Sequence, residues 1–171
     1  NCTIYTHCHS SIVIGILRKA RAVGRRFTVI NTETRPLYQG RITSNELSRL
    51  GIRNLHYVDS AMRLGIKQAE IVLLGADSIL NNGKVVNKIG SELAAETAFR
   101  FRIPLYVCAM SWKFDRESLH RKEVKIEDRP YKEVWERPPR NVKVLNPAFE
   151  IIDSGLIKGI VSEYGIFEPK R

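Results

Sequence analysis

Two side chains able to give and take a proton, Cys8 and Asp77, each follow a short apolar segment of the sequence. Residues 2–5 precede the first, and residues 71–74 precede the second across a Gly-Ala step. Short apolar runs with β-branched residues are typical of strands buried on both faces of a parallel sheet. Because ligands of open α/β sheets bind beyond the carboxyl ends of the strands, we expect Cys8 and Asp77 to face each other across one pocket.

Cys8 is predicted to lie on the turn between the first strand and a helix that begins at Ser10 or Ser11. The free N–H groups and the dipole of a helix N-terminus lower the pKa of a nearby thiol, so we expect a thiolate there. The alternative is that Cys8 fills space in the core, as most free cysteines do. The cysteines and histidines of residues 2–9 lack the ligand spacing of structural zinc sites, so no metal is predicted.

Asp77 also has a conventional alternative, since an Asp at the end of a strand often only caps the following turn. In a pocket it would instead accept and return protons in general acid–base catalysis. Loops at the same sheet edge would add groups that bind phosphate or hydroxyl oxygens. These groups are Ser10 and Ser11 at the helix start, Arg35 and Gln39 after the second strand, Asn87 with Lys88, and Lys113.

Predicted strands alternate with predicted helices along the whole chain, which indicates an α/β fold with a mostly parallel sheet and helices on both faces. The strands are predicted at residues 2–6, 26–31, 54–58, 70–74, 104–109, 142–147 and 159–163, and the helices at about 11–22, 43–50, 61–69 and 90–102. The expected buried helix faces are Ile12, Ile16, Leu17 and Ala20, and Leu93, Ala94, Thr97, Ala98 and Phe101. Residues 81–83 are expected to form a tight turn and residues 111–139 to run over the surface.

The composition fits one domain spanning residues 1–171. No apolar run reaches the roughly 18–20 residues that cross a membrane, and three cysteines without a C-x-x-C pair favour the cytoplasm. The net charge of +10 invites a nucleic-acid function, but Lys and Arg are spread out except within residues 18–26, and no nucleic-acid motif is present. A small anionic substrate accounts for the charge equally well, so nucleic acid is not predicted as a partner.

Several short motifs recur in the order seen in one known family. They are Thr6-His7-Cys8-His9-Ser10, Glu33-Thr34-Arg35-Pro36 with Gln39-Gly40, Asp59-Ser60-Ala61, Gly75-Ala76-Asp77-Ser78, Gly83 with Asn87-Lys88-Ile89-Gly90, Trp112-Lys113-Phe114 and Asn146-Pro147-Ala148-Phe149. The set resembles the family that unites the α, β and δ subunits of translation initiation factor 2B with methylthioribose-1-phosphate isomerase and archaeal ribose-1,5-bisphosphate isomerase. The resemblance covers essentially the whole chain, and the cysteine loop is most similar to that of the ribose-1,5-bisphosphate isomerases.

The resemblance implies a Rossmann-like domain, the C-terminal domain of the family, that isomerises ribose 1,5-bisphosphate to ribulose 1,5-bisphosphate. It implies Cys8 and Asp77 as the catalytic pair. We assign the proton exchange at carbon to Cys8 and that at the sugar oxygens to Asp77, with the reverse assignment as the alternative. The substrate would be held by Ser10, Ser11, Gln39, Asn87, Lys88 and Lys113. It also implies that no metal or organic cofactor is needed and that the protein is a homo-oligomer, a dimer or hexamer.

Two departures from the family pattern leave alternatives open. The family's Ala-Glu-Thr-Tyr-Lys-Phe segment is replaced by residues 109–114 (AMSWKF), which lack the Glu. The helical N-terminal domain, with its Arg-Gly-Ala phosphate loop, is absent, so the chain is expected to be truncated on its amino-terminal side. The competing hypotheses are a non-catalytic regulatory subunit that binds initiation factor 2, and a methylthioribose-1-phosphate isomerase.

Overall fold

The computed structural model of the protein describes residues 2–115 and 126–169. The helices of this part are α1 Ser11–Ala22, α2 Gln39–Arg49, α3 Met62–Ile66 and α4 Ser91–Arg100. Its strands are β1 Cys2–Thr6, β2 Phe27–Thr32, β3 Arg53–Tyr57, β4 Ile71–Leu74, β5 Ser78–Ile79, β6 Val85–Lys88, β7 Leu105–Cys108, β8 Phe149–Ile152, β9 Gly159–Ser162 and β10 Gly165–Phe167. None of the helices described is long and apolar enough to cross a membrane.

Seven strands form one sheet in the order β10-β9-β7-β4-β1-β2-β3. All neighbours are parallel except β10, which pairs antiparallel with β9. In the centre, Tyr5 of β1 lies opposite Val72 of β4, so these two strands end side by side. The predicted mostly parallel sheet is confirmed, and the segments that carry Cys8 and Asp77 leave from adjacent strands.

Helices cover both faces of this sheet, as predicted, but two helices are rotated relative to the expected faces. α1 buries Val13, Ile14 and Leu17 in one core, whereas Ile16 is exposed. α4 buries Ala94, Ala95 and Ala98 in the core on the other face, whereas Leu93 is exposed. The error is about one residue, or roughly 100° around a helix, which an apolar pattern with several near-equivalent stripes does not resolve.

A second, three-stranded antiparallel sheet in the order β5-β6-β8 was not predicted. The strand predicted at residues 142–147 is wrong: β8 lies at Phe149–Ile152 and pairs with β6, with Phe149 opposite Lys88. Pro147 makes only an isolated bridge to Asp128, because a proline has no N–H to give to a ladder. The turn predicted at residues 81–83 is present, with the Gly83 N–H donating to the Leu80 carbonyl at 2.9 Å.

The segment after β7 is only partly within the described residues. Residues 126–141 are mostly exposed, in keeping with the predicted surface path, while the prediction for residues 116–125 lies outside the described part. The segment is fastened beside β8 by the Ala148 N–H, which donates to the Glu127 carbonyl at 2.9 Å. Arg129 and Glu133 form an ion pair at 2.6 Å within it.

Candidate active site

A cavity of about 360 Å³ opens at the carboxyl edge of the large sheet. Its lining brings together eight of the nine residues predicted from the sequence: Cys8, Asp77, Ser10, Ser11, Gln39, Asn87, Lys88 and Lys113. Arg35 is not among them, because its guanidinium donates to the Tyr38 hydroxyl and, at 3.1 Å, to the Val134 carbonyl. The cavity therefore joins three strand ends of the large sheet with the end of β6.

Cys8 sits on a turn whose backbone is fixed from two sides. Its N–H donates to Thr34 Oγ1 at 3.1 Å, and its carbonyl accepts from the Thr43 hydroxyl at 2.8 Å. Both Cys8 and Thr34 have positive φ, +63° and +59°. Asp59 in turn accepts from the Thr34 N–H at 2.8 Å and from the next N–H at 2.7 Å. Left-handed conformations at non-glycine residues cost about 1–3 kcal/mol each, so these hydrogen bonds must offset that cost and hold the loop in place.

The pKa of the Cys8 thiol is raised, not lowered, and the prediction of a thiolate is wrong. Burial of the sulfur raises the pKa, and this effect outweighs the opposing influence of the His9 backbone N–H and of the Lys88 charge. The free energy cost of removing a thiolate from water is larger here than the stabilisation that the helix N-terminus provides. At neutral pH the cavity thus holds a thiol that can donate a proton.

His7, the residue before Cys8, is neutral and adds no positive charge beside the thiol. The ring is 2% exposed, and burial lowers its pKa. Nε2 lies 2.8 Å from the Ile89 carbonyl, which can only accept, so Nε2 carries the hydrogen and Nδ1 accepts from the Thr32 hydroxyl at 3.0 Å. Gly90 leaves room for the ring, since a Cβ there would lie 2.7 Å from Nε2. Neutral His7 therefore ties the Cys8 loop to the end of β6.

The start of α1 packs directly against the end of β4. Ser10 caps α1, its Oγ accepting from the Val13 N–H at 3.3 Å. A Cβ at Gly75 would lie 2.8 Å from both Cβ and Oγ of Ser10, so only glycine permits this approach. The exposed Ser11 opens the helix, and Ser11 and Ile12 line the cavity, so the N-terminal end of α1, where anions are favoured, lies at its rim.

Gln39 reaches the cavity because α2 begins four residues earlier than predicted. The next residue, Gly40, lies so close to β2 that a Cβ on it would be 1.7 Å from the Thr32 carbonyl oxygen. Its own carbonyl accepts from the Asn31 side-chain amide at 2.7 Å. Gln39 Oε1 is buried, and no residue of the described part donates to it. A ligand hydroxyl in the cavity is the kind of group that would satisfy such an acceptor.

The small sheet supplies the polar wall opposite α1. The Asn87 amide nitrogen donates to the Ser91 hydroxyl at 2.8 Å, and that hydroxyl donates to the Lys88 carbonyl at 2.6 Å. Lys88 Nζ lies 4.6 Å from the centroid of the Phe149 ring, which sits opposite it in the ladder. Lys113 comes from the short helical turn after β7. Two lysines and a helix N-terminus thus line the same cavity as Asp77 and Cys8.

A metal centre finds no support in residues 2–115 and 126–169, where no three His, Cys, Asp or Glu side chains are grouped to hold an ion. Both ring nitrogens of His7 are engaged in hydrogen bonds. His9 Nδ1 lies 3.2 Å from the Thr43 hydroxyl and Nε2 lies 3.7 Å from Glu46.

Several residues that support the site, chiefly Thr32, Thr34 and Phe149, were not predicted from the sequence. Thr34 and Phe149 lie within the recurring motifs, which could have pointed to them.

Comparison with known proteins settles the family. The model of the initiation factor 2 subunit family matches residues 1–169. The chain belongs to this family. It is 41% identical to a ribose 1,5-bisphosphate isomerase of Pyrococcus furiosus, over 97% of the chain and 53% of the relative. It is 37% identical to a methylthioribose-1-phosphate isomerase of Thermosipho melanesiensis, over 98% of the chain and 53% of the relative.

Solved structures of family members superpose closely on the chain. The delta subunit of translation initiation factor eIF-2B from A. fulgidus matches with a TM-score of 0.90 and 33% identity, over 99% of the chain and 54% of that protein. The α/β fold of the family is therefore established for this chain. The chain spans about half the length of the relatives that it matches.

Proposed function

We propose that this protein is a cytoplasmic, homo-oligomeric aldose–ketose isomerase that converts ribose 1,5-bisphosphate to ribulose 1,5-bisphosphate. The observation that carries the proposal is the joint presence of the Cys8 thiol and Asp77 in one cavity with Lys88 and Lys113. An isomerase that moves protons needs a proton donor and a proton acceptor beside the same substrate, and a bisphosphate needs anion-binding groups at both ends. The 41% identity to a protein named as this isomerase supports the choice of substrate.

The phosphates would bind at opposite sides of the cavity. The N–H groups at the start of α1, with Ser10 and Ser11, suit one phosphate, and Lys88 with Lys113 suits the other. Sugar hydroxyls between them would donate to the unpartnered Oε1 of Gln39. Asn87 would bind a substrate oxygen from the same wall.

The reaction needs two protons delivered and two removed. The C1–O4 bond breaks as the ring oxygen takes a proton, and the raised pKa of the Cys8 thiol suits it to donate that proton. The resulting thiolate takes the proton from C2, and the released electron pair forms the C1=C2 double bond. Asp77 accepts the proton of the C2 hydroxyl as the C2 carbonyl forms, and Cys8 returns its proton to C1. Transfer of the Asp77 proton to Cys8 restores both groups, so no oxidant or cofactor is consumed.

The test is turnover by the full-length protein with Cys8→Ser and Asp77→Asn, two changes that keep side-chain volume nearly constant. We expect each to lower kcat by at least a hundredfold, in line with the 10²–10⁴-fold contribution of a positioned acid or base. Asp115→Asn, a change at a carboxylate outside this cavity, serves as the matched control and should keep kcat within about twofold. Wild-type kcat in either Cys8→Ser or Asp77→Asn, with the unfolding midpoint unchanged, would contradict the mechanism.

The same full-length protein can be tested for two alternative functions suggested by its relatives. A higher kcat/KM for 5-methylthioribose 1-phosphate than for the bisphosphate would indicate a methylthioribose-1-phosphate isomerase. Absence of turnover with both sugars, together with capture of initiation factor 2, would favour a regulatory subunit like the structural neighbours.

A further inference from the structure

A second cavity lies at the opposite, amino edge of the large sheet and is walled by arginines. Its volume is about 270 Å³, and its lining includes Arg21, Arg25, Arg26 and Arg53 but no Asp or Glu. Phe27 and the backbone around Gly51 complete it. The six residues of β2 separate this edge from the Cys8 cavity, which is about 20 Å at 3.3 Å per residue. The two cavities are thus distinct.

Two glycine turns bring the four arginines together. Gly24, with φ +83°, ends α1, and the Arg25 N–H donates back to the Ala20 carbonyl at 3.0 Å, so the chain reverses with its arginines beside the helix end. Gly51, with φ +63°, does the same after α2 and leads directly into Arg53. Three separate elements therefore deliver guanidinium groups to one concave surface.

The positive charge of this cavity is not neutralised by the protein. Within residues 2–115 and 126–169, none of the four guanidinium groups forms an ion pair or a side-chain hydrogen bond. The C-terminal ends of α1 and α2 contribute about −0.5 charge each, which offsets about one of the four positive charges. A surplus of about three positive charges remains, and no Asp or Glu of residues 2–115 and 126–169 lines the cavity.

We propose that this arginine cavity binds a compact anion with two or more linked phosphoryl groups. A guanidinium pairs with two phosphate oxygens at once, so four arginines match two phosphoryl groups better than one. The small volume of this open cavity favours a short anion over a polymer. Phe27 is half-buried against the core beneath, so the cavity lacks the series of exposed rings on which nucleic-acid bases stack.

The experiment is titration calorimetry of the full-length protein with inorganic tripolyphosphate. All variants carry Lys88→Met, so that binding in the Cys8 cavity is suppressed. We expect Arg25→Ala with Arg53→Ala to weaken binding at least tenfold. Arg25→Lys with Arg53→Lys should weaken it at least threefold, because lysine keeps the charge but not the paired geometry. The control pair is Arg137→Ala with Arg140→Ala, two exposed arginines outside both cavities, which should change binding less than twofold.

Several results would overturn the proposal. Equal weakening by the control pair would show that tripolyphosphate responds only to overall charge. Orthophosphate that binds as tightly as tripolyphosphate would exclude a site for linked phosphoryl groups. A twelve-nucleotide single strand that binds more tightly than tripolyphosphate and depends on Arg25 and Arg53 would assign the surface to nucleic acid. None of these readouts uses isomerase activity, so they stand apart from the test of the proposed reaction.

Discussion

Replacing Gly40 with alanine should destabilise the protein although the change favours a helix. Alanine gains about 0.5–1 kcal/mol over glycine inside a helix. At Gly40, however, the new Cβ would lie 1.7 Å from the Thr32 carbonyl oxygen. An ordinary carbon–oxygen contact is about 3.3 Å, so the start of α2 must retreat from β2 by roughly 1.6 Å. The position of a Cβ is fixed by the backbone and its partner is a backbone oxygen, so no side-chain rotation relieves the clash.

That retreat breaks two hydrogen bonds, one from α2 to β2 and one from α2 to Glu33 just after β2. The Asn31 amide donates to the Gly40 carbonyl at 2.7 Å, and the Gly40 N–H donates to the Glu33 carbonyl at 3.1 Å. Each broken bond costs about 1–3 kcal/mol, so after the helix gain the net loss is about 1–5 kcal/mol. It also withdraws Gln39 from the cavity, so KM for substrate should rise.

Urea denaturation followed by circular dichroism measures this loss, and Gly15→Ala is the matched control. Gly15 is an exposed position within α1, and a Cβ there meets nothing within 4 Å. The control should therefore gain about 0.5–1 kcal/mol from helix propensity alone. A Gly40→Ala protein within 1 kcal/mol of wild type would refute the claim that this contact sets the position of α2.

Two further predictions concern titrating groups. Because burial lowers the pKa of His7 below its ordinary 6.5, the unfolded state takes up that proton first as pH falls, so stability should decline below about pH 6.5. His7→Gln, which can still donate to the Ile89 carbonyl, should flatten this decline in urea titrations between pH 7 and 5, and an unchanged slope would contradict the assignment. The rate of Cys8 alkylation by iodoacetamide, followed by peptide mass spectrometry, should reach half of its plateau only above pH 9, and Lys88→Met should move this midpoint to still higher pH. A rate that has already levelled off at pH 8 would contradict the raised pKa.

The mostly parallel sheet and the residues that gather in the candidate cavity could be predicted because they depend on local chemistry. Apolar runs that end in Gly75 or before Cys8 mark strand ends, and the parallel topology then brings those ends to one edge. Gln39 and Lys113 were found in the same way, as polar residues of loops that follow predicted strands. Local sequence signals were therefore sufficient to predict which residues come together in the candidate site.

The errors arose where contacts distant in sequence decide the outcome. The pairing of β6 with β8 joins residues about 60 positions apart, and nothing within residues 142–152 alone shows where that pairing begins. The early start of α2 depends on Gly40 reaching Thr32, which a propensity reading places in a loop. The pKa of Cys8 depends on burial that only the packed fold provides.

The raised pKa of Cys8 also constrains the order of proton transfers. In the proposed reaction, a bound bisphosphate would bring further negative charge to the cavity and disfavour a thiolate still more, while Lys88 and Lys113 would offset part of that effect. The thiol would therefore stay protonated until a substrate atom of rising basicity, the ring oxygen, takes its proton. Only then would a thiolate exist beside C2. The sequence of steps thus follows from where the sulfur lies, since a thiolate formed earlier would have no proton to open the ring.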